Sequence, residues 1–423
     1  MDNATQYEVE VTVEGGEPTC VCAFPKLLLN GRKRTLFFDT PMHGKRVGIW
    51  VQRQRYRCKT CCKSHYQSVP HMHSKHDMTN RLVDYIRRFG TERTFTAISS
   101  EIGVDVQTVR RIWREHARKG LDRLQPVTPV WMGIDELHIM HGFRGVITNV
   151  KDRTIVDLLK DRKKDSVIRY LAGLSDAHVI THVAMDMWEP YREAVHLALP
   201  KATIIVDRFH VSRMASEAME RVRLDLRVNL PTKTRLMLKD DRWILLRNEQ
   251  DLNATQTILL QSTLAQFPTL RKAWEAKEGF RAIWKLPTRE AGEQAYRDWL
   301  AALDPEVAPA FNDLIRAMGN WHSEIFNYFE HRITNAYTES FNSIARKMDR
   351  MGRGYSFEVL RAKLLLKYSC HKEEPPPARF ARTPLSMGRV YGLGMMMQES
   401  PGRHLGIDMA ALAGWLDTLP PAT

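Results

Sequence analysis

The chain has no run of eighteen or more apolar residues, so nothing in it reads as a transmembrane helix. No secretory leader is expected either, because MDNATQYEVEVTVEGG is polar and acidic where a signal peptide is basic and then apolar. A cytosolic protein with no membrane partner is expected. No G-x-x-x-x-G-K-[ST] loop occurs, which removes the common cradle for a nucleoside triphosphate. Internal repeats and long low-complexity tracts are absent too. Cysteine is scarce: there are six in 423 residues, and five of them fall between Cys20 and Cys62. In a reducing compartment such clustering points to a metal and not to disulfides. Acidic residues are in deficit, 49 against 63 lysines and arginines, for a net charge of +14. That balance favours a polyanionic partner, since neutralising phosphates releases their counterions; nucleic acid is the first choice and an acidic membrane surface the weaker one.

A chain of this length exceeds a single compact core and is expected to be multidomain α/β. A Cys/Arg-rich segment spans residues 1–72 and a short helical one 73–124. An α/β region covers 127–210 and resumes at 331–372, around a helical stretch at 211–330. A tail occupies 373–423. The proline-bearing segments QPVTPV at 125–130 and KEEPPPARF at 372–380 mark breaks.

Cys58-Lys-Thr-Cys61 has the spacing that lets two thiolates reach one tetrahedral zinc from a tight turn. Cys20-Val-Cys22 is the upstream pair that would complete the set, with Cys62, His65 and His71 as possible substitutes. Between the pairs, GRKR at 31–34 and RQRYRCK at 53–59, interleaved with Trp50 and Tyr56, suit a phosphate backbone or a solvated charged face.

Leu82, Val83, Ile86 and Phe89 recur at helical spacing, FTAISSEIG gives a short helix closed by Gly103, and Asp105 is placed to cap a third helix ending at Gly120. On that third helix Val109, Ile112, Trp113 and Ala117 form an apolar stripe. Gln107, Thr108, Arg110, Arg111 and Arg114 then point outward. Amides and guanidinium groups on an exposed helix can read base edges and hold phosphates, so the three helices read as a helix-turn-helix. An ordinary three-helix bundle is the bland alternative.

From residue 130 the pattern becomes strand, strand, strand, helix, strand, helix, strand, with Asp165 expected to cap the first of these helices. The first, fourth and fifth strands are each expected to end in an aspartate: Asp135, Asp186 and Asp207. Hard carboxylate oxygens at neighbouring strand ends suit Mg²⁺ or Mn²⁺, and two such ions can clamp a phosphodiester. Far downstream, a helix through TNAYTESFNSIARKM puts Tyr337, Phe341, Ile344, Ala345 and Met348 on one face and Asn335, Glu339, Asn342 and Arg346 on the other. The tryptophans of the intervening stretch, Trp243, Trp274, Trp284, Trp299 and Trp321, read as core at their helical spacing.

The pieces Gly133-Ile134-Asp135-Glu136, Asp186-Met-Trp-Glu-Pro-Tyr191, Val206-Asp207-Arg208-Phe209-His210 and Thr334-Asn335-Ala-Tyr-Thr-Glu339-Ser-Phe-Asn342 resemble the ISL3 family of bacterial insertion-sequence transposases over roughly residues 15–372. The resemblance implies an N-terminal zinc ribbon, a helix-turn-helix and a ribonuclease-H-like catalytic domain with a helical insertion. It maps the family's acidic triad onto Asp135, Asp186 and Glu339 as ligands of catalytic Mg²⁺. Asp207, His210, Asn335 and Asn342 take supporting places, and Cys20, Cys22, Cys58 and Cys61 hold structural Zn²⁺. The one-residue spacer of Cys20-Val-Cys22 departs from the two residues usual in the family. The implied partners are double-stranded DNA, as terminal inverted repeats and target, and a second copy of the chain on that DNA, in association with the nucleoid. A zinc-containing transcriptional regulator and a structure-selective nuclease are the rival readings.

Overall fold

A computed structural model describes residues 5–22, 26–124 and 127–369. The expected break at 372–380 and the tail from 373 lie outside the described residues, as do the first two positions of the segment at 125–130. The protein is a mixed α/β molecule with two sheets and many helices.

The first sheet holds β1 (Gln6–Thr12), β2 (Leu27–Met42), β3 (Lys45–Cys58) and β4 (Ser64–Tyr66). Strands β2 and β3 form a long antiparallel hairpin, closed by His43 and Gly44 at φ 52° and 75°. A two-residue turn with both φ values positive matches the twist of the flanking strands. Strand β1 runs parallel to β3, and β4 antiparallel to it.

Three helices follow: α1 (Asn80–Glu92), α2 (Phe95–Ile102) and α3 (Val106–Arg123). Thr79, Thr94 and Asp105 each cap one of them by accepting a backbone N–H, and Gly103 closes α2 at φ 75°. Their apolar stripes, including Leu82, Ile86, Ile98, Val109, Ile112 and Trp113, meet in one core. Gly120 does not end α3 as expected; the helix continues to Arg123. A Cβ at Gly120 would lie 2.8 Å from Leu366 Cδ2, so this glycine admits a packed neighbour and is not a stop.

The second sheet comprises β5 (Trp131–Ile139), β6 (Gly142–Asn149), β7 (Thr154–Leu158), β8 (His182–Met185) and β9 (Thr203–Val206), in the order β7-β6-β5-β8-β9. The first three are antiparallel, and β5, β8 and β9 are parallel. Side chains of β5 alternate between the faces. Met132 and Ile134 join a core with α4 (Lys164–Ala172) and α5 (Glu189–Ala198). On the opposite face, Leu137 and Ile139 share a core with Phe341, Ala345, Leu360 and Leu364 from far along the chain. Asp165 is not the cap of α4: it stands within the first turn, while Asp161 holds the Lys163 N–H just ahead of the helix.

After β9 come α6 (Arg208–Val228), α7 (Thr232–Asp240), α8 (Arg242–Leu246), α9 (Ala254–Gln266), α10 (Pro268–Ile283), α11 (Arg289–Ala302), α12 (Ala308–Asn320), α13 (His322–Phe326) and α14 (Tyr328–His331). Trp274, Trp284, Trp299 and Trp321 sit in the core these helices share with β8 and β9. Trp243 does not, and is 67% exposed.

The chain then forms α15 (Ala336–Met351) and α16 (Phe357–Tyr368). Helix α16 joins the three-helix bundle to the second sheet. Arg361 grips Asp157 of β7 at 2.7 and 3.0 Å. The buried Lys363 ammonium donates to the carbonyls of Gly90 and Arg93 among the rings of Phe95, Trp113 and Tyr355. Burial pulls its pKa down to about 7.

Candidate active site and metal-ligand clusters

Sheet register aligns the acids. Ile134 pairs with Met185, and Met185 with Val206, so the next residues, Asp135, Asp186 and Asp207, form one row across three parallel strands. Asp186 and Asp207 follow their strands directly, as expected, but Asp135 does not end β5. The strand runs on to Ile139 because its other edge stays paired with β6. Asp135 is therefore held by the β6 ladder, one residue past the last pair with β8.

Helix α15 lies over this row. Its buried face is a single stripe at i, i+3, i+4 and i+7, formed by Thr338, Phe341, Asn342 and Ala345. Asn342, expected on the outward polar side, is therefore turned inward, while Glu339 and Arg346 of that side are half-buried. Asn342 Nδ2 donates to Asp135 Oδ2 at 2.8 Å, and the Glu136 N–H donates to Asp135 Oδ1 at 2.7 Å. Glu339 is half-buried on the first turn.

His210, on the first turn of α6, stands between acids: Nδ1 is 3.6 Å from Asp186 Oδ1, and Nε2 is 3.5 Å from Glu339 Oε1. Its Nδ1 is buried without a hydrogen-bond partner. Asp207 is buried, caps α6 through the Phe209 N–H at 3.1 Å, and accepts the Asn335 N–H at 3.0 Å. The set that closes to within 4.8 Å is Asp207, His210 and Glu339. Asp135, Asp186 and Glu339 do not close to that distance; His210 links Asp186 to Glu339, and the charges of both act on Asp135.

The positive charge near these acids is small: His210 stands against Asp186 and Glu339, and Arg213 acts on Glu339 from further off. Among the described residues no lysine or arginine forms an ion pair with Asp135, Asp186 or Glu339. Burial, with added repulsion from Asp186 and Glu339, pushes the Asp135 pKa up to about 6. Glu339 is raised by burial and by the charge of Asp207. Asp157 shows the contrast, since Arg361 neutralises it in a bidentate pair. Acids held together without cations are suited to binding one.

A family model described as a transposase, the ISL3 type of the DDE class, matches residues 132–364, more than half of the chain. The chain belongs to this transposase family. It is similar to the transposase for insertion sequence element IS1001 of Bordetella parapertussis, at 22% identity over 326 residues, covering 75% of this chain and 80% of that protein. It is also similar to the transposase for insertion sequence element IS1557 of Mycobacterium tuberculosis, at 24% identity over 296 residues, covering 63% of this chain and 66% of that one. As a DDE transposase the chain acts on DNA, cutting and transferring it. No helix among the described residues of the transposase is long and apolar enough to cross a membrane.

The transposase carries a second donor cluster at the end of its N-terminal hairpin. Cys20, Cys22, Cys58 and Cys61 have sulfurs within 4.8 Å of one another. The Cys20–Cys22 and Cys20–Cys61 separations are 3.4 Å, and Cys22–Cys58 is 3.6 Å. The amides of Cys61, Lys26 and Thr60 point at Cys58 and lower its pKa to about 5, whereas the neighbouring Cys20 thiol pushes Cys22 up to about 12. Cys62 is exposed, and neither it nor His65 or His71 enters the cluster. On α3, Gln107, Arg111 and Arg114 are exposed. Thr108 and Arg110 are half-buried, the latter over the Phe95 ring at 5.9 Å.

Two buried residues at the carboxylate site escaped sequence reasoning, Thr148 and Thr338, whose hydroxyls meet at 2.7 Å. Thr338 lies inside the TNAYTE stretch, next to Glu339. Thr148 lies on β6 opposite Gly133, a pairing that only the fold creates.

Proposed function

We propose that this transposase binds the terminal inverted repeats of a bacterial insertion sequence as a homodimer and performs Mg²⁺- or Mn²⁺-dependent strand cleavage and strand transfer. Asp135, Asp186 and Glu339 hold the catalytic ions, and Asp207, His210, Asn335 and Asn342 support them. The observation that carries this reading is the row of Asp135, Asp186 and Asp207 across parallel strands, faced by Glu339 and unpaired with lysine or arginine. The strand order β7-β6-β5-β8-β9 with α15 on one face supports a ribonuclease-H-like assignment. Within that order Asp186 is beside Asp135, and Asp207 is one strand further out. Asp207 also caps α6 through one oxygen and ties the start of α15 through the other, so it has a structural part in joining those two helices.

The donor set fits divalent cations: hard oxygens, one imidazole, and mutual repulsion that a cation would relieve. Held by Asp135, Asp186 and Glu339, two such ions would activate the attacking oxygen, that of water for cleavage and of the DNA 3′-hydroxyl for transfer, and would stabilise the leaving oxygen of the phosphodiester. The chain's own residues fix the geometry. Asn342 pins one oxygen of Asp135, the β5–β8 register sets Asp186 level with it, and α15 brings Glu339 over both. Four cysteines with amides aimed at one sulfur fit tetrahedral Zn²⁺, whose bond length of about 2.3 Å implies sulfurs roughly 3.8 Å apart. The hairpin they close reads as a zinc ribbon. The capped helices α2 and α3, with Gln107, Arg111 and Arg114 exposed, read as a helix-turn-helix that recognises the element ends.

Replacing Asp135, Asp186 or Glu339 by alanine is the test. Each variant should lose cleavage of end-bearing DNA by about a thousandfold or more, the worth of roughly 4 kcal/mol in the barrier, and still bind that DNA. Cleavage by Asp186→Ala at close to the parent rate, with Asp207→Asn inert at every Mg²⁺ concentration, would move the triad to Asp207.

A further inference from the structure

Helix α15 could settle on β5 through apolar contact alone at one end, where Leu137 meets Phe341 and Ala345. Apolar contact is non-directional and tolerates sliding. At the other end, where Glu339 projects, the contact is polar and dry. Gly133, Asp135 and Leu137 share one face of β5, and the helix meets each in turn. Over Gly133 lie Thr148 of β6, Thr338 and Asn335, all three with no more than 0% exposure. A Cβ on Gly133 would come to 2.6 Å from Thr338 Oγ1 and 2.7 Å from Asn335 Oδ1, and closer still to Thr148 Oγ1. The missing side chain is the notch into which these polar groups fit.

The hydrogen bonds there run in one direction. Asn335 Nδ2 donates to the Ile134 carbonyl at 3.4 Å, which fixes its Oδ1 as an acceptor. Thr338 donates to that Oδ1, so in the 2.7 Å contact the Thr148 hydroxyl is the donor and Thr338 the acceptor. The backbone N–H of Asn335 continues the chain to Asp207 Oδ2, and Asp207 caps the helix that carries His210. A single polar chain therefore joins β6, β5, the turn bearing Glu339 and the turn bearing His210.

We propose that Thr338, held by Thr148 and seated in the Gly133 notch, is a positioning residue that sets the distance of Glu339 from Asp135 and thereby the affinity for the catalytic ions. This rests on the metal-binding roles assigned above to Asp135 and Glu339. Directional bonds in a dry site fix register where apolar packing does not. One residue of slip in a helix means 1.5 Å and about 100° of rotation, and a misplacement of roughly 1 Å at a reacting centre costs on the order of a hundredfold in rate.

The experiment compares Thr338→Val, Thr148→Val, the double variant and Thr338→Ser in the full chain. It reads Mn²⁺ binding without DNA, from the electron paramagnetic resonance of the free ion, and Mg²⁺-dependent cleavage of end-bearing duplex. Both valine variants should need about tenfold more ion for half-saturation and cut about ten to a hundred times more slowly at a fixed low Mg²⁺ concentration. High Mg²⁺ should recover part of the loss, DNA binding should be unchanged, and Thr338→Ser should be close to the parent. The double variant should be no worse than the worse single one, because both break the same chain. Unchanged ion binding in both valine variants, or losses that multiply in the double, would overturn the proposal. Should Thr338→Val not fold, Thr148→Val carries the same readouts from the strand side. Glu339→Ala is the control: if it still cuts, the metal assignment fails, whereas an inert Glu339→Ala beside unaffected valine variants fails the positioning role alone.

Discussion

The cysteine cluster and the carboxylate cluster are both sets of four or five metal donors, yet they are built in opposite ways. The irregular segment between β1 and β2 supplies Cys20 and Cys22, and the end of β3 with the turn after it supplies Cys58 and Cys61, three residues apart. The carboxylates come from β5, β8, β9 and α15, with some two hundred residues between Asp135 and Glu339. Four soft sulfurs in a closed set suit a structural ion, and a small sheet with few buried side chains would draw folding energy from one. The carboxylates are carried by strands and helices with their own apolar cores. Those cores hold the acids in place against burial first and mutual repulsion second, as the raised pKa of Asp135 records. One cluster is expected to stabilise its domain when filled; the other burdens its domain until it is filled.

Chelation should separate the two most sharply. Removing zinc with a strong chelator, or substituting Cys58→Ser, should unfold the N-terminal sheet and abolish end-DNA binding, since structural zinc contributes on the order of 10 kcal/mol. Removing Mg²⁺ should leave the circular dichroism spectrum unchanged and stop only cleavage. Elemental analysis that finds no zinc in the purified protein would end the comparison.

Proton linkage gives the next effect. An unfolded aspartate ionises near pH 4, while native Asp135 keeps its proton to about 6. The native state thus binds more protons across that window, and its stability falls as pH rises from 4 to 6 and stays lower above, by at most about 3 kcal/mol. Without divalent ions, thermal unfolding should come at lower temperature at pH 7.5 than at pH 5, with Mg²⁺ restoring the difference. Asp135→Asn should remove most of this pH dependence; a profile identical to the parent's would show that the site stores no such repulsion.

Sequence recognition should track the cysteine half of the molecule and ignore the carboxylate half. Gln107→Ala and Arg111→Ala should each lose roughly 1–3 kcal/mol of discrimination for the end sequence, and Arg114→Ala should weaken all DNA alike. Competition binding with end and random duplexes reads this, and unchanged discrimination would move recognition away from α3. The smallest effect belongs to Cys62→Ser. Exposed and outside the cluster, Cys62 should leave zinc content and DNA binding as they are, and a lost zinc would redraw the ligand set.

Legibility followed the same divide. The cap Asp105, the terminator Gly103, the stripe Val109–Ile112–Trp113 and the C-x-x-C turn are local, and each could be read from a few neighbouring letters. Trp243 and Gly120 were misread because exposure and a distant packing partner, Leu366, leave no local trace. Asp135 was expected at a strand end, and only the pairing of β5 with β6 on its second edge carries the strand past it.

By itself the sequence determined the basic charge, the cysteine pairs, the capped helices and a strand order that sets aspartates after apolar runs. These follow from short-range rules of sterics, capping and periodicity. The tertiary structure alone decided that Glu339 would face the aspartate row, that His210 would stand between Asp186 and Glu339, and that Thr148 would meet Thr338 over Gly133. Those contacts depend on how separate elements pack, and packing sums many weak, non-local terms that no window of sequence contains.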